Sequence, residues 1–238
     1  MNLLKLKSNN RLFFVSDIHG ELPTLLYALE SLGFEVGKDL CIHAGDLFDR
    51  GQYNMETINH FLDDDSGSFY TVLGNHCCFG FQNHDANTNE AALWYINGGN
   101  WAFEQLTQDE RNELASRLEV LPYVIEVDHS GDKFGVIHAC VPQDFQTWEE
   151  FVGVIEVGNK NLLHEITWGR EFVEYPKCVA FQKPLTGVKC TIHGHTPVKQ
   201  PLLVGNRWHI DTGLVYGKYL TVAEVVDGEL QFHKFEKV

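Results

Sequence analysis

The sequence is short of positive charge. Its 18 Lys and Arg stand against 33 Asp and Glu, a formal net charge of −15. Binding along a nucleic-acid phosphate backbone depends on Lys and Arg, so that class of partner is not expected. The same balance suits a chain that gathers carboxylates around divalent cations, with most of the charge left as solvated surface. Cysteine is too sparse for a disulfide framework, six in 238 residues, and no pair shows zinc-ribbon spacing. Free thiols in a reducing cytoplasm are expected instead. No apolar run approaches the ~20 residues needed to span a bilayer, and no membrane partner is expected. The opening Met1-Asn2-Leu3-Leu4-Lys5-Leu6-Lys7 has too short and too broken an apolar run for a signal peptide. Solenoid-length repeats and low-complexity linkers are missing as well. What remains is an ordinary globular composition, 44% hydrophobic and 12% aromatic, in a chain long enough for one sizeable domain with its own core.

Within that composition one stretch concentrates chemistry: Cys41-Ile42-His43-Ala44-Gly45-Asp46-Leu47-Phe48-Asp49-Arg50-Gly51. Leu40 to His43 reads as a short buried strand ended by Gly45. A strand that stops at Gly-Asp delivers the carboxylate to a sheet's C-terminal edge, where ligands of open α/β sheets sit. With two oxygens, Asp46 could serve two cations. The plainer alternative is a strand followed by a capped helix, with Asp46 or Asp49 as the cap and Arg50 as surface charge. The neighbouring segments decide between the two. Leu12 to Val15 is another β-favouring run, ending at Ser16-Asp17-Ile18-His19-Gly20, and Phe69 to Leu73 is a third, ending at Gly74-Asn75-His76. Helical periodicity from Leu22 to Leu32 and from about Met55 to Leu62 separates them. The order β-α-β-α-β thus repeats a strand, a break and a polar ligand type at equivalent strand ends.

From Phe81 to Leu118 the chain reads as a helical insertion covering one edge of the site, at about residues 81–118. Asn97-Gly98-Gly99-Asn100 breaks it, Thr107-Gln108-Asp109-Glu110 starts a helix, and its tryptophans are expected in the core. Strands follow at Tyr123 to Val127 and Phe134 to Ile137, the second ending at His138. A helical region from Phe151 to Trp168 leads to Gly169-Arg170, and a strand from Val188 to Ile192 leads to His193-Gly194-His195. The segments Trp208 to Ile210, Leu220 to Val226 and Leu230 to Phe235 read as an antiparallel run.

The strand-end set is Asp17, His19, Asp46, Asn75, His138 and His195. Mixed nitrogen and oxygen donors suit Mn²⁺, Fe or Zn²⁺ better than Mg²⁺ or Ca²⁺. Six ligands with one bridging carboxylate describe a two-metal site. The motifs Ser16 to Gly20, Gly45 to Gly51, Gly74 to His76, His138-Ala139, Trp168 to Arg170, Gly194 to Pro197 and Ile210 to Gly213, with Asn97-Gly98-Gly99 between them, run in order from about Arg11 to Val226. In these the chain resembles the calcineurin-like metallophosphoesterases, and among them the bacterial and phage-lambda-type Ser/Thr protein phosphatases.

The resemblance implies an α/β fold, a four-layer α/β/β/α sandwich of two mixed β-sheets in a single domain over residues 1–238. It implies two divalent ions, with Mn²⁺ expected first and Fe or Zn²⁺ as alternatives. Asp17 and His19 would serve one ion, Asn75, His138 and His195 the other, and Asp46 both. A bridging water would attack phosphorus in line. Arg50, Arg170 and Asn75 would bind the phosphate, and His76, held by Asp49, would protonate the leaving group. The substrate would be a phosphorylated protein or a small phosphoester. His43 and His193 are expected to be structural, and Asp211 to anchor a loop. Where protein phosphatases usually have Arg-Gly-Asn-His-Glu, this chain has Leu73-Gly74-Asn75-His76-Cys77, which removes one phosphate-facing guanidinium. That departure also resembles the dinucleoside-polyphosphate hydrolases, the alternative substrate class, with a broad phosphodiesterase beside it. An inactive scaffold is a third reading, opposed by retention of all six ligand types.

Overall fold

The computed structural model describes residues 2–82, 84–85 and 88–238, with the side chains of Asn89 and Glu90 also outside the description. Two sheets form its centre, and alternation along their strands fixes what each face meets. Strand β2 (Leu12–Val15) is buried on both faces. Leu12 and Phe14 enter the core between the sheets, while Phe13 and Val15 enter the core beneath the outer helices. A strand covered on both sides reads as a continuous apolar run, which is why Leu-Phe-Phe-Val lacks polar alternation. Parallel neighbours β3 (Leu40–His43) and β4 (Phe69–Thr71) follow β2 in order. Antiparallel β10 (Tyr219–Val226) and β11 (Glu229–Glu236) complete a five-stranded sheet, β11-β10-β2-β3-β4.

The second sheet is six-stranded, β1-β5-β6-β7-β9-β8. It comprises β1 (Leu3–Ser8), β5 (Val124–His129), β6 (Asp132–Ile137), β7 (Cys190–His193), β8 (Leu202–Val204) and β9 (Arg207–His209). Ile125, Val127, Phe134, Val136 and Ile192 from this sheet meet Leu12, Phe14, Ile42 and Val72 from the other in the central core. Outside the five-stranded sheet lie α1 (Leu22–Ser31), α2 (Asn54–Leu62) and α3 (Asn75–Gln82). The helices α4 (Asn89–Trp94), α5 (Asn100–Gln105) and α6 (Gln108–Glu119) join them. Outside the six-stranded sheet lie α7 (Trp148–Val157) and α8 (Lys160–Trp168), with α9 (Glu171–Glu174) beside them. The layers run helix, sheet, sheet, helix, as the resemblance implies.

Several local expectations change. Of the helical stretch from Phe81 to Leu118, residues 83, 86 and 87 lie outside the described residues. Its Gly98-Gly99 break is a π-helical turn, Tyr95–Gly99, and its Thr107 start is a capping box with Glu110. The single helical region from Phe151 to Trp168 is two helices. A left-handed Gly158 closes the first, and the Asn159 side chain caps the second by accepting from the Asn161 and Leu162 amides. The expected antiparallel run of the last three segments does not form as one unit. Only β10 and β11 pair with each other, while β9 lies parallel to β7 in the other sheet. The turn at Asp211-Thr212-Gly213 carries the chain from one sheet to the other. Strand β1 forms from the opening segment, where no strand is expected from the sequence. Its alternation marks it as a strand: Leu4 and Leu6 pack on the core between the sheets, while Leu3, Lys5 and Lys7 share the outer face, where helices cover Leu3 and the lysines are exposed.

Candidate metal centre

The site forms where parallel strands of both sheets end. The loop after β2 carries Asp17 and His19, the loop after β3 carries Asp46, and the residue opening α3 after β4 is Asn75. From the other sheet, His138 follows β6 and His195 follows β7. Backbone bonds stitch the first two loops together. The Asp17, His19 and Gly20 amides donate to the carbonyls of Gly45, Asp46 and Leu47 at 3.2, 3.1 and 2.7 Å. Left-handed backbone is concentrated in the same loops. Asp17, His19, Asp46, Asp49, Arg50 and His195 all have φ between 45 and 74°, a conformation costly for residues with a Cβ and persistent only where surroundings over-determine it. Gly194 is required by close approach, since a Cβ there would overlap the Asp17 carboxylate.

The donor atoms converge. His19, Asp46 and His76 place one ligand atom each within 4.8 Å of one another, and so do Asp46, His138 and His195, so Asp46 belongs to both groups. His138 Nε2 lies 3.3 Å from Asp46 Oδ2. His138 Nε2 and His195 Nδ1 lie 2.9 and 2.8 Å from Asn75 Oδ1. The other nitrogen of each ring meets a main-chain carbonyl: His19 Nδ1 that of Phe48 at 2.8 Å, His138 Nδ1 that of Ala44 at 2.7 Å, His195 Nε2 that of Trp168 at 3.2 Å. A carbonyl only accepts, so it fixes a proton on that nitrogen and leaves the inward nitrogen's lone pair toward the cluster. This is the arrangement metal-ligating histidines adopt. Asp17 stands outside the two tight groups, accepting the His195 amide on both oxygens at 3.0 Å.

Electrostatics show a cluster built for cations. Asp17, Asp46 and Asp211 are buried together. Burial, then the neighbouring Asp211, holds the Asp17 carboxyl well above the usual range, and burial pushes Asp211 up to about 6. Burial would raise Asp46 too, but His138, His76 and His19 around it hold it well below. Burial alone would lower His138, yet the Asp46 carboxylate pushes it up to about 9. Burial, then His138, takes His195 down to about 2. Buried carboxylates without matching charge are costly. Imidazole nitrogens, a shared carboxylate and an amide oxygen therefore fit divalent cations of the Mn²⁺, Fe and Zn²⁺ kind, whose charge would take the place of the His138 proton beside Asp46.

The six sequence-predicted ligand residues, with His76, Arg50 and Arg170, are thus brought to one place. Arg50, Arg170, Asn75 and His76 line the small cavity over the cluster, with Pro197, Asp211 and Tyr216. Arg50 Nη1 donates to His19 Nε2 at 2.6 Å, and its guanidinium lies 5.6 Å from the Tyr216 ring centre. Asp49 is buried and meets His76 Nδ1 at 2.6 Å. It also accepts the indole N–H of Trp94 at 2.9 Å and of Trp101 at 2.7 Å. Those tryptophans are in the core, as expected, but they also hold Asp49, a partnership 45 and 52 residues away in sequence that no spacing announces. Tyr216 was missed for the same reason. His43 and His193 are buried outside the ligand groups, His43 beside Thr71 Oγ1 and His193 between Thr191 Oγ1 and the Ile137 carbonyl, and Asp211 accepts the Gly213 amide within its own turn. Leu73 differs from expectation. Its side chain is fully buried in the outer helical core and is not among the residues lining the phosphate cavity. Cys77 is buried in the same core, its thiol pushed up to about 12 by burial.

Comparison with known proteins decides the family. The family model for calcineurin-like phosphoesterases matches residues 11–199. The chain belongs to that family. It is a hydrolase of phosphoric ester bonds. It is similar to Serine/threonine-protein phosphatase 2 of Salmonella typhimurium, 30% identical with 85% of this chain and 87% of that protein covered. It is also similar to a bis(5′-nucleosyl)-tetraphosphatase of Bacillus velezensis, 28% identical with 87% and 86% covered. Among solved structures, a protein serine/threonine phosphatase from Saccharomyces cerevisiae shares the fold at a TM-score of 0.70 and 17% identity, over 99% of this chain and 84% of that one.

Proposed function

We propose that this phosphoesterase is a two-metal phosphomonoesterase acting on phosphoserine and phosphothreonine in proteins. The observation that carries the reading is Asp46, a carboxylate common to two buried ligand groups in which His19, His138 and His195 each meet a main-chain carbonyl and His76 meets Asp49. Asp17, His19 and Asp46 would hold one cation, and Asp46, Asn75, His138 and His195 the other. When bound, the pair supplies Lewis acidity, neutralising phosphoryl charge and acidifying the attacking water. Arg50 and Arg170 present planar, paired donors to the nonbridging phosphoryl oxygens, and the Asn75 amide adds a further donor. His76 gives a proton to the departing alkoxide. Asp49 accepts from Nδ1, so the proton to be transferred is the one on Nε2. Trp94 and Trp101 fix Asp49 by engaging both of its oxygens. All six cysteines are free, five of them buried, which supports a reducing, cytoplasmic setting as part of the same proposal.

A second reading, hydrolysis of dinucleoside tetraphosphates, is favoured by one observation: the cavity is lined by Arg50 and Arg170 without a guanidinium from position 73. One assay separates them. The purified chain with Mn²⁺ is offered a phosphopeptide, an aryl phosphate, a cyclic phosphodiester and a dinucleoside tetraphosphate. A highest kcat/KM on the phosphopeptide is expected. Turnover of the tetraphosphate with none of the phosphopeptide would replace the first reading by the second, and loss of all activity on metal removal is required by both.

A further inference from the structure

Strand β9 carries a buried cation, Arg207, that forms no ion pair among the described residues. Alternation turns Trp208 toward the core between the sheets, where it packs against Phe232, and Arg207 and His209 to the opposite face. Arg207 is 2% exposed. Its Nε donates to the Val141 carbonyl at 3.3 Å and its Nη1 to the Lys183 carbonyl at 3.0 Å, and the Phe172 ring centre lies 4.8 Å from its guanidinium carbon. Among the described residues no carboxylate comes within 4.0 Å of the guanidinium, and none offers Nη2 an acceptor. Buried charges are ordinarily paired, since the desolvation of an unpaired ion is large. Carbonyl dipoles and an aromatic face meet part of that demand but carry no net charge.

The guanidinium borders a cavity of about 250 Å³. Gln143, Thr147, Thr186, Phe172 and Lys183 also line it, the Thr186 hydroxyl donating to the Gln146 carbonyl at 3.2 Å and Lys183 adding a second cation. Lys183 is exposed and forms no ion pair among the described residues. Two cations of the same wall, one of them buried with spare donor capacity, describe a receptor for negative charge. We propose that this cavity binds a small oxyanion, a phosphate or carboxylate group, as a site separate from the metal centre. The oxyanion would take its strongest bonds from Arg207 and long-range attraction from Lys183, with the Gln143 amide and the Thr147 hydroxyl as further donors. The site does not depend on the catalytic reading, and its failure would leave that reading untouched. It sits on the strand whose His209 ladders with His193 of β7, and β7 leads directly into Gly194-His195.

The test uses the full-length chain stripped of metal by chelation, with Arg50→Gln and Arg170→Gln introduced so that the metal-centre cavity cannot capture the probe. Inorganic phosphate and acetate are titrated separately by calorimetry at low ionic strength, with sodium chloride as the control. One anion per chain is expected in this doubly substituted protein. Phosphate bound without acetate assigns the cavity to phosphoryl groups, and the reverse assigns it to carboxylates. Adding Arg207→Gln should weaken binding about tenfold or more, as expected for a charge-assisted bond of about 1.5–3 kcal/mol. Lys183→Glu serves where the arginine variant does not fold. It alters only an exposed side chain, and reversing that charge should weaken binding severalfold. No binding of either anion, binding equalled by chloride, or binding unchanged by Lys183→Glu would overturn the proposal and leave Arg207 as a cross-link between two loop carbonyls.

Discussion

At the scale of single residues, the division of labour around His76 is the most exposed to test. His76 contributes an atom to one ligand group, yet its Nδ1 is taken by Asp49. If it is the general acid, His76→Asn should keep the metals and lower kcat by roughly 10²–10⁴. The loss should shrink on an aryl phosphate, whose leaving oxide needs less protonation than a serine alkoxide. Equal losses on serine phosphate and nitrophenyl phosphate, or metal released on dialysis, would make His76 a ligand instead. Leu73 sets a second test. An arginine at this position would match the pattern usual in protein phosphatases, but here the side chain packs with Cys77, Phe79 and Trp168 in the outer helical core. Leu73→Arg should therefore bury an unpaired guanidinium and cost several kcal/mol of stability, read as a large fall in the urea midpoint. A variant of unchanged stability with lower KM for a phosphopeptide would show that position 73 reaches the phosphate after all.

At the scale of elements, the helices between β4 and β5 do more than cover an edge. Through Trp94 on α4 and Trp101 on α5 they hold both oxygens of Asp49, and the Gly98 carbonyl of the π-helical turn accepts the Arg50 amide at 3.2 Å. Trp101→Phe keeps the apolar bulk and removes one charge-assisted bond of about 1.5–3 kcal/mol. Part of that should appear as a roughly tenfold lower kcat on alkyl phosphates with little change on aryl phosphates, because the fault is in orienting the acid. Equal loss on both classes would mean that Trp101 only packs. The strand ends were legible because a break and a polar residue after an apolar run leave little else for the backbone to do. The linkage of helices to Asp49 was not, since indole N–H bonds follow the three-dimensional path of the chain. Gly158-Asn159 was a readable helix break that the apolar periodicity on either side masked, and β9 changed sheets because a three-residue strand carries no pairing preference of its own.

At the scale of the whole molecule, the centre joins the two sheets. Asp17, Asp46 and Asn75 come from the five-stranded sheet and His138 and His195 from the six-stranded one. The protein already links them there, with the His195 amide on Asp17 and His138 Nδ1 on the Ala44 carbonyl. What those bonds do not supply is positive charge among the buried carboxylates of a chain whose net charge is −15. Cations that bind this cluster and not the unfolded chain should therefore stabilise the whole fold by mass action. At a free concentration about a hundred times Kd the gain is about 2.7 kcal/mol, worth roughly 5–11 °C in Tm for a domain of this size. Mixed nitrogen and oxygen donors should make the rise larger with Mn²⁺ or Zn²⁺ than with Ca²⁺ at equal concentration. Asp46→Asn removes charge from the group shared by both ligand sets, so most of the rise should vanish and dialysed protein should retain less of both metals by elemental analysis. A full Mn²⁺-dependent rise in Asp46→Asn, with wild-type metal content, would remove Asp46 from between the two ions.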